Sequence, residues 1–182
     1  ANTYLSGTGK GDCTYPDWVV LDNLSSEQCK INITDVSDST VTDESDAVFI
    51  IHPFINVTEP VSGLKLKVYT AYPDVVKWNI TGTTVTKVDI NYSLDNGSDG
   101  YPYMIAGYVN ANLNQYTWSN VPNAPTTNVR VKIIDNSSTT PSSTVNGTSA
   151  KFTIIGKLDI LTPVNGSSYY LKNSTTIQWN ST

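Results

Sequence analysis

The chain has 182 residues, a net charge of −5 and only 15% charged residues. That length allows one to two domains with at least one hydrophobic core. The acidic balance argues against nucleic acid, which is bound through a basic face, and against anionic lipid, and no run of 18 apolar residues is present to span a membrane.

The first elements are polar. The chain opens at Ala1-Asn2 without Met and without a recognisable secretory leader, so the expectation is a processed or partial chain. Gly7-x-Gly9-x-Gly11 lacks the spacing and the following helix of a phosphate loop and reads as a flexible loop. Cys13 and Cys29 read as one disulfide of a secreted chain, worth roughly 3 kcal/mol through loop closure. With His52 they offer too few donors for a metal. In Cys29-Lys30-Ile31-Asn32-Ile33 the apolar residues alternate as on a half-buried strand. Asp35, Asp38, Asp43, Glu44 and Asp46 follow; carboxylates are Ca²⁺ donors, but no D-x-D-x-D-G spacing occurs, so the loop reads as solvated and no cofactor is expected. His52, the only His, precedes Pro53 and reads as a rigid connector rather than a base.

From residue 54 short β-branched and aromatic runs alternate with Gly, Pro, Asn, Asp and Ser. Strands are expected near 54–58, 65–69, 75–80, 86–93, 102–109, 115–118, 129–135 and 149–155. Asn96-Gly97 suits a turn with positive φ, 121–125 is a breaker and 136–149 a solvated loop. Alternation points Phe54, Leu66, Val68, Val76, Trp78, Val88, Ile90, Val131, Ile133, Phe152 and Ile154 inward, with Trp118 covering the sandwich edge.

The chain repeats itself with a period of about 101 residues. Residues 47–78 align with 150–179, setting Phe49 on Phe152, Pro60 on Pro163, Gly63 on Gly166 and Trp78 on Trp179. Residues 28–39 align with 129–138, setting Asp35 on Asp135; Trp18 falls on Trp118 and Tyr4 on about Tyr103. The fold expected is all-β: immunoglobulin-like β-sandwich repeats, one complete and two partial. Residues 1–52 are the closing strands of one sandwich, 53–155 a complete one, and 156–182 the opening strands of a further one, completed by a neighbouring subunit. Leu158, Ile160, Leu161, Tyr169, Leu171, Ile177 and Trp179 form the expected assembly set, because they match the buried face of 53–80. Joined head to tail, the two partial segments make a composite sandwich lacking only the counterpart of about 81–99.

Asn-x-Ser/Thr occurs at Asn23, Asn32, Asn56, Asn79, Asn91, Asn96, Asn136, Asn146, Asn165, Asn173 and Asn180. Eleven of the 18 Asn head such a sequon, against about four expected from the Ser and Thr content. Dense N-glycosylation is the expectation, safest at Asn32, Asn79 and Asn91, where strand phase faces the acceptor outward.

The order Pro60…Gly63, Val76…Trp78, Val88-Asp89-Ile90-Asn91-Tyr92-Ser93-Leu94-Asp95-Asn96-Gly97, Tyr116-Thr117-Trp118…Val121-Pro122, Val129-Arg130-Val131-Lys132 and Ser149…Phe152 carries a resemblance. It resembles the Ig-like repeats of secreted and cell-surface proteins akin to the Ser/Thr-rich glycosylphosphatidylinositol-anchored cell-wall family. The resemblance implies a mostly structural role and brings no catalytic residues. With no nucleophile–base or nucleotide motif, no enzyme is expected. The expected function is that of a structural subunit of an extracellular or cell-surface filament or layer, its partner being itself in a head-to-tail homopolymer, similar to glycan-coated extracellular filaments. The alternative is a carbohydrate-binding or adhesin module, with some of the eleven Tyr stacking on sugars.

Overall fold

The computed structural model describes residues 18–21, 25–137 and 144–182. Cys13 and Asn23 lie outside them, and with Cys13 the expected pairing to Cys29. The chain is all-β. Two sheets close over one core between residues 54 and 155. One sheet is formed by β5 (Phe54–Glu59), β7 (Tyr72–Thr81) and β10 (Gln115–Trp118), in the order β10-β7-β5. The other runs β6 (Lys65–Lys67), β13 (Phe152–Ile155), β11 (Thr126–Asp135), β8 (Lys87–Ser93), β9 (Tyr103–Asn110), with β12 (Asn146–Thr148) also paired to β11. A three-stranded and a larger sheet face to face, with mostly antiparallel pairs, is the layering of an immunoglobulin-type sandwich.

Period-2 alternation builds both layers. In β11, Val129, Val131, Ile133 and Asp135 point inward while Arg130 and Lys132 stay half-exposed. In β8, Val88, Ile90 and Tyr92 do the same. The two strands are in continuous antiparallel register from Arg130↔Ser93 to Asp135↔Val88. The core joins these residues to Leu66, Val68, Val76, Trp78, Trp118, Phe152 and Ile154. Trp78 is buried, and its indole N–H donates to the Ala111 carbonyl at 3.0 Å, so the polar end of the ring is satisfied as well. The turn after β8 takes positive φ at Asn96 (54°) and Gly97 (95°), and Ser93 Oγ accepts the backbone N–H groups of Asp95 and Gly97. Gly147 has a different task. A Cβ there would collide with the Ile55 carbonyl oxygen, so its absence lets β12 approach β5.

Four sequence expectations are corrected. Phe54 is 61% exposed, because the parity that buries Ile55 and Val57 turns it outward. Trp118 is not an edge cover: it is buried, with ring centroids 5.0 Å from Tyr92 and 6.4 Å from Phe152. The stretch 136–149 is not wholly a solvated loop, since β12 pairs with β11 and Val145 and Ser149 are buried. The strand expected over 65–69 ends at Lys67, and Tyr69 takes φ 54° in a turn.

Ile133→Ala should lower the unfolding free energy by about 2–5 kcal/mol, and Phe54→Ala by a small fraction of that. Urea denaturation of the two variants measures the difference.

Candidate assembly interface

Before the sandwich, the chain forms β1 (Ser26–Cys29), β2 (Asn32–Thr34), β3 (Thr42–Glu44) and β4 (Phe49–Ile51). Their pairing copies the closing strands of the intact domain. β1 and β4 pair Ser26↔Ile51 and Cys29↔Phe49; β11 and β13 pair Thr126↔Ile154 and Val129↔Phe152, with an irregularity at the same place. β2 and β3 pair Asn32↔Glu44 to Thr34↔Thr42, as β11 and β12 pair Lys132↔Thr148 to Ile134↔Asn146. The hydrogen bonds correspond too. Asp35 N–H donates to the Val41 carbonyl as Asp135 N–H does to Val145, both at 2.9 Å. Ile31 N–H donates to Ser45 Oγ as Val131 N–H does to Ser149 Oγ. Trp18 meets Phe49 edge-on at 5.9 Å, as Trp118 meets Phe152.

After the sandwich, β14 (Leu158–Thr162) and β15 (Gln178–Ser181) copy its opening strands. They pair Asp159↔Asn180 and Ile160↔Trp179 where β5 and β7 pair Asn56↔Asn79 and Val57↔Trp78. Gly166 (φ 82°) repeats Gly63 (φ 83°), and the turn bond from Ser167 N–H to the Val164 carbonyl repeats that from Leu64 to Val61.

What differs is cover. Ile133 is 0% exposed and its counterpart Ile33 is 71%; Trp78 is 1% and Trp179 is 61%; Val68 is 0% and Leu171 is 95%. Leu158, Ile160, Tyr169 and Ile177 are exposed in the same way. Leu161 belongs elsewhere: it takes the phase of Thr58, which is outward in the intact sheet. The sequence reading named only this C-terminal set. The facing set, Ile31, Ile33, Val41, Phe49 and Ile51, was missed, although the alignment with Val131, Ile133, Val145, Phe152 and Ile154 carries it. Cys29 is half-buried at the place of Val129, and His52 is exposed between β4 and β5. Each half is an apolar face on a two- or four-stranded fragment, too small to stand alone in water.

The acidic loop is held by its own turns. Asp35 accepts from Ser37 Oγ (2.6 Å) and N–H (2.7 Å), and Asp38 from Thr40 Oγ1 (2.6 Å) and N–H (3.0 Å). These bonds hold both carboxyls below the ordinary Asp range, the serine and threonine hydroxyls contributing most. Among the described residues no three ligating side chains converge as a metal site.

The acceptor asparagines divide into two groups. Asn32, Asn56, Asn79, Asn96, Asn165, Asn173 and Asn180 are exposed. Asn56 and Asn79 are direct cross-strand partners on the outer face of their sheet. Asn91, Asn136 and Asn146 are half-buried. Asn91 is on the outward phase, but it sits mid-sheet between Lys132 and Met104 and its Oδ1 is buried without a hydrogen-bond partner. The Asn136 amide nitrogen donates to Asp89 Oδ1 at 3.0 Å, and that of Asn146 to the Thr144 carbonyl at 3.3 Å. Asn96 Oδ1 accepts from Arg130 Nε at 2.7 Å.

The chain matches no protein-family model, no curated protein and no solved structure.

Enzymatic release of N-linked glycans from natively produced chain should lower its intact mass by several kilodaltons. Glycopeptide mapping should find the exposed acceptors occupied and Asn136 bare. The pH response of the 35–41 turn follows from the two depressed carboxyls. Their folded pKa values lie below the unfolded value of about 3.9, so their contribution is present above that pH and is lost as pH falls through the folded values. NMR titration should show the Ser37 and Thr40 amide shifts unchanged from pH 7 to about 5, and moving toward random coil only below the unfolded value.

Proposed function

We propose that the chain is a structural subunit of a glycosylated extracellular filament, assembled head to tail by β-strand complementation. The C-terminal half-sandwich of one copy closes over the N-terminal half-sandwich of the next. The observation that carries this is the shared register: both exposed halves repeat the two sides of a sandwich that closes within the same chain.

The intact domain also supplies the joint. There β6 runs parallel to β13, Thr153↔Lys65 to Ile155↔Lys67, and Val68 N–H donates to the Ile155 carbonyl at 3.0 Å. Transferred by the repeat, Ile51 of one copy lies beside Tyr169 of the next. Covering each large apolar side chain contributes about 1.5–3 kcal/mol, set against the translational and rotational cost of association. A contact between two different surfaces of identical chains need not close on itself, and when it does not it gives a filament. Exposed acceptors on both faces would coat such a filament with glycan, which blocks sheet-on-sheet aggregation. The sequons and the expected disulfide fit an extracellular place, and the Ig-like repeats of cell-wall proteins are the resembling class.

The adhesin reading has less support. Tyr103 stacks on the buried Tyr92 at 5.0 Å and Tyr108 lies under Lys87, so each exposed ring already has a partner on one side. The open depression lined by Asp74, Leu113, Gln115, Tyr116, Thr117 and Ser119 offers one aromatic ring.

Deleting 156–182 should leave a soluble monomer that no longer polymerises, and the deleted segment added as a peptide should cap growing fibres. Electron microscopy and sedimentation read both. Truncated chain that still forms filaments of the same repeat would sink the proposal.

A further inference from the structure

The outer face of the three-stranded sheet of the intact sandwich bears two features side by side. One is the acceptor pair Asn56 and Asn79. The other is the open depression lined by Asp74, Leu113, Gln115, Tyr116, Thr117 and Ser119. β7 connects them. Lys77 and Asn79 both point outward, two residues apart on that strand. Gln115 is the register partner of Lys77. It is therefore the diagonal neighbour of Asn79, about 7–8 Å away. Thr117 follows on the same face of β10.

We infer that this depression is the seat of the chain's own N-linked glycan on Asn79, which lies across β7 and β10 instead of projecting into solvent. The ligand class is a saccharide, covalently tethered beside its site. This rests on the proposed function for the presence of glycan, and it adds where one glycan goes.

Three observations fit that occupant. The first is direction. Asn56 and Asn79 are direct cross-strand partners, with Cβ atoms about 4.5–5.5 Å apart. Two glycans cannot share the space above that pair. The chain on Asn56 is pushed toward the β5 edge and the chain on Asn79 toward β10. The second is chemistry. A sugar presents hydroxyls around a ring with C–H faces. Leu113, 56% exposed, and the half-buried Tyr116 offer apolar surface, while Asp74, Gln115, Thr117 and Ser119 offer acceptors and donors. The third is the backbone. Tyr116 pairs with Val76 and Trp118 with Tyr72, so β7 bulges between the two pairs. Within that bulge Asp74 takes φ 48°, the left-handed region that a non-glycine residue seldom adopts. Bulges of this kind re-aim a side chain, and strained positions of this kind cluster at ligand sites. Asp74 N–H donates to Thr117 Oγ1 at 3.3 Å, and the Thr117 hydroxyl stands 3.5 Å from Asp74 Oδ1. That long contact leaves the carboxylate with acceptor capacity for sugar hydroxyls.

The experiment is hydroxyl-radical footprinting of natively produced full chain, read by mass spectrometry, against the Asn79→Gln chain in the same assembly state. Asn79 is exposed, so the substituted sandwich should melt as the unsubstituted one does once the glycan is enzymatically removed from both. Oxidation of Leu113 and Tyr116 should rise severalfold in Asn79→Gln. It should stay unchanged in Asn96→Gln, which removes an acceptor from the turn after β8. Asp74→Gly suits the left-handed backbone and keeps the glycan, and it should raise the same oxidation toward the Asn79→Gln level. Leu113 and Tyr116 oxidised alike with and without an occupied Asn79 would overturn the inference, and so would protection that survives Asp74→Gly. Glycopeptide mapping separates the two readings. A bare Asn79 among occupied acceptors refutes the seat and leaves the glycosylated filament standing, whereas a chain bare at every acceptor refutes both. Sedimentation of the Asn79→Gln chain reads the head-to-tail joint on its own.

Discussion

An apolar sheet face must be covered by an opposing sheet, and this chain meets that condition once and leaves it open twice. The three segments share residue types, pairing register and turn hydrogen bonds. The same local sequence therefore recurs with the same strand pairing. What it does not supply is cover. Ile133 and Ile33 are the same residue on equivalent strands, and they differ in what covers them: Ile133 has a second layer above it and β8 beside it, and Ile33 has neither among the described residues. Burial here is a property of the pairing of halves, and the energy of the fold resides in that closure.

Much of this was legible in the sequence because the repeat is long and its markers are aromatic. Trp78, Phe152 and the alternation of Val129, Val131 and Ile133 fix which face of each strand is inside. What failed was local. Alternation counted from the aromatics points Phe54 inward, but the buried parity of its strand is that of Ile55 and Val57, and two adjacent residues cannot face the same way. Trp118 was assigned to an edge because a breaker follows it, yet the β10–β7 pair carries it over Phe152. β12 was hidden in a Ser/Thr-rich run; its small Gly147, read as loop composition, is there for the close approach to Ile55.

The acceptor asparagines mark a second limit. Strand phase can be read from sequence, and it faces Asn32, Asn79 and Asn91 outward. Position within the sheet cannot. Asn91 is outward on the strand between β11 and β9, where neighbouring side chains close over it, whereas Asn56 and Asn79 belong to a three-stranded sheet with an open outer face. Hydrogen bonding is equally invisible at that level. Asn136 has its amide nitrogen engaged by Asp89, a residue 47 positions away. The exposed pair at Asn56 and Asn79 lies where bare sheet would otherwise invite stacking, so glycans there would act as charged edge residues do in other β proteins.

The composite joint would not be a plain copy of the intact core. The C-terminal half is bulkier than its template: Ile160 replaces Val57, Tyr169 replaces Leu66, Leu171 replaces Val68 and Ile177 replaces Val76. In a complete sandwich, where Leu66, Val68 and Val76 are fully buried, such enlargements would overpack the core. The added volume therefore works against exchange of the C-terminal strands into any finished domain, including the chain's own. The N-terminal half is changed little: Ile33, Val41, Phe49 and Ile51 are the same residues as Ile133, Val145, Phe152 and Ile154, while Ile31 is larger than Val131 and Cys29 smaller than Val129. In the proposed joint, bulk on one side and an open face of nearly unchanged volume on the other would make the two halves better partners for each other than for anything already closed. A specificity of that kind arises from steric exclusion as much as from attraction.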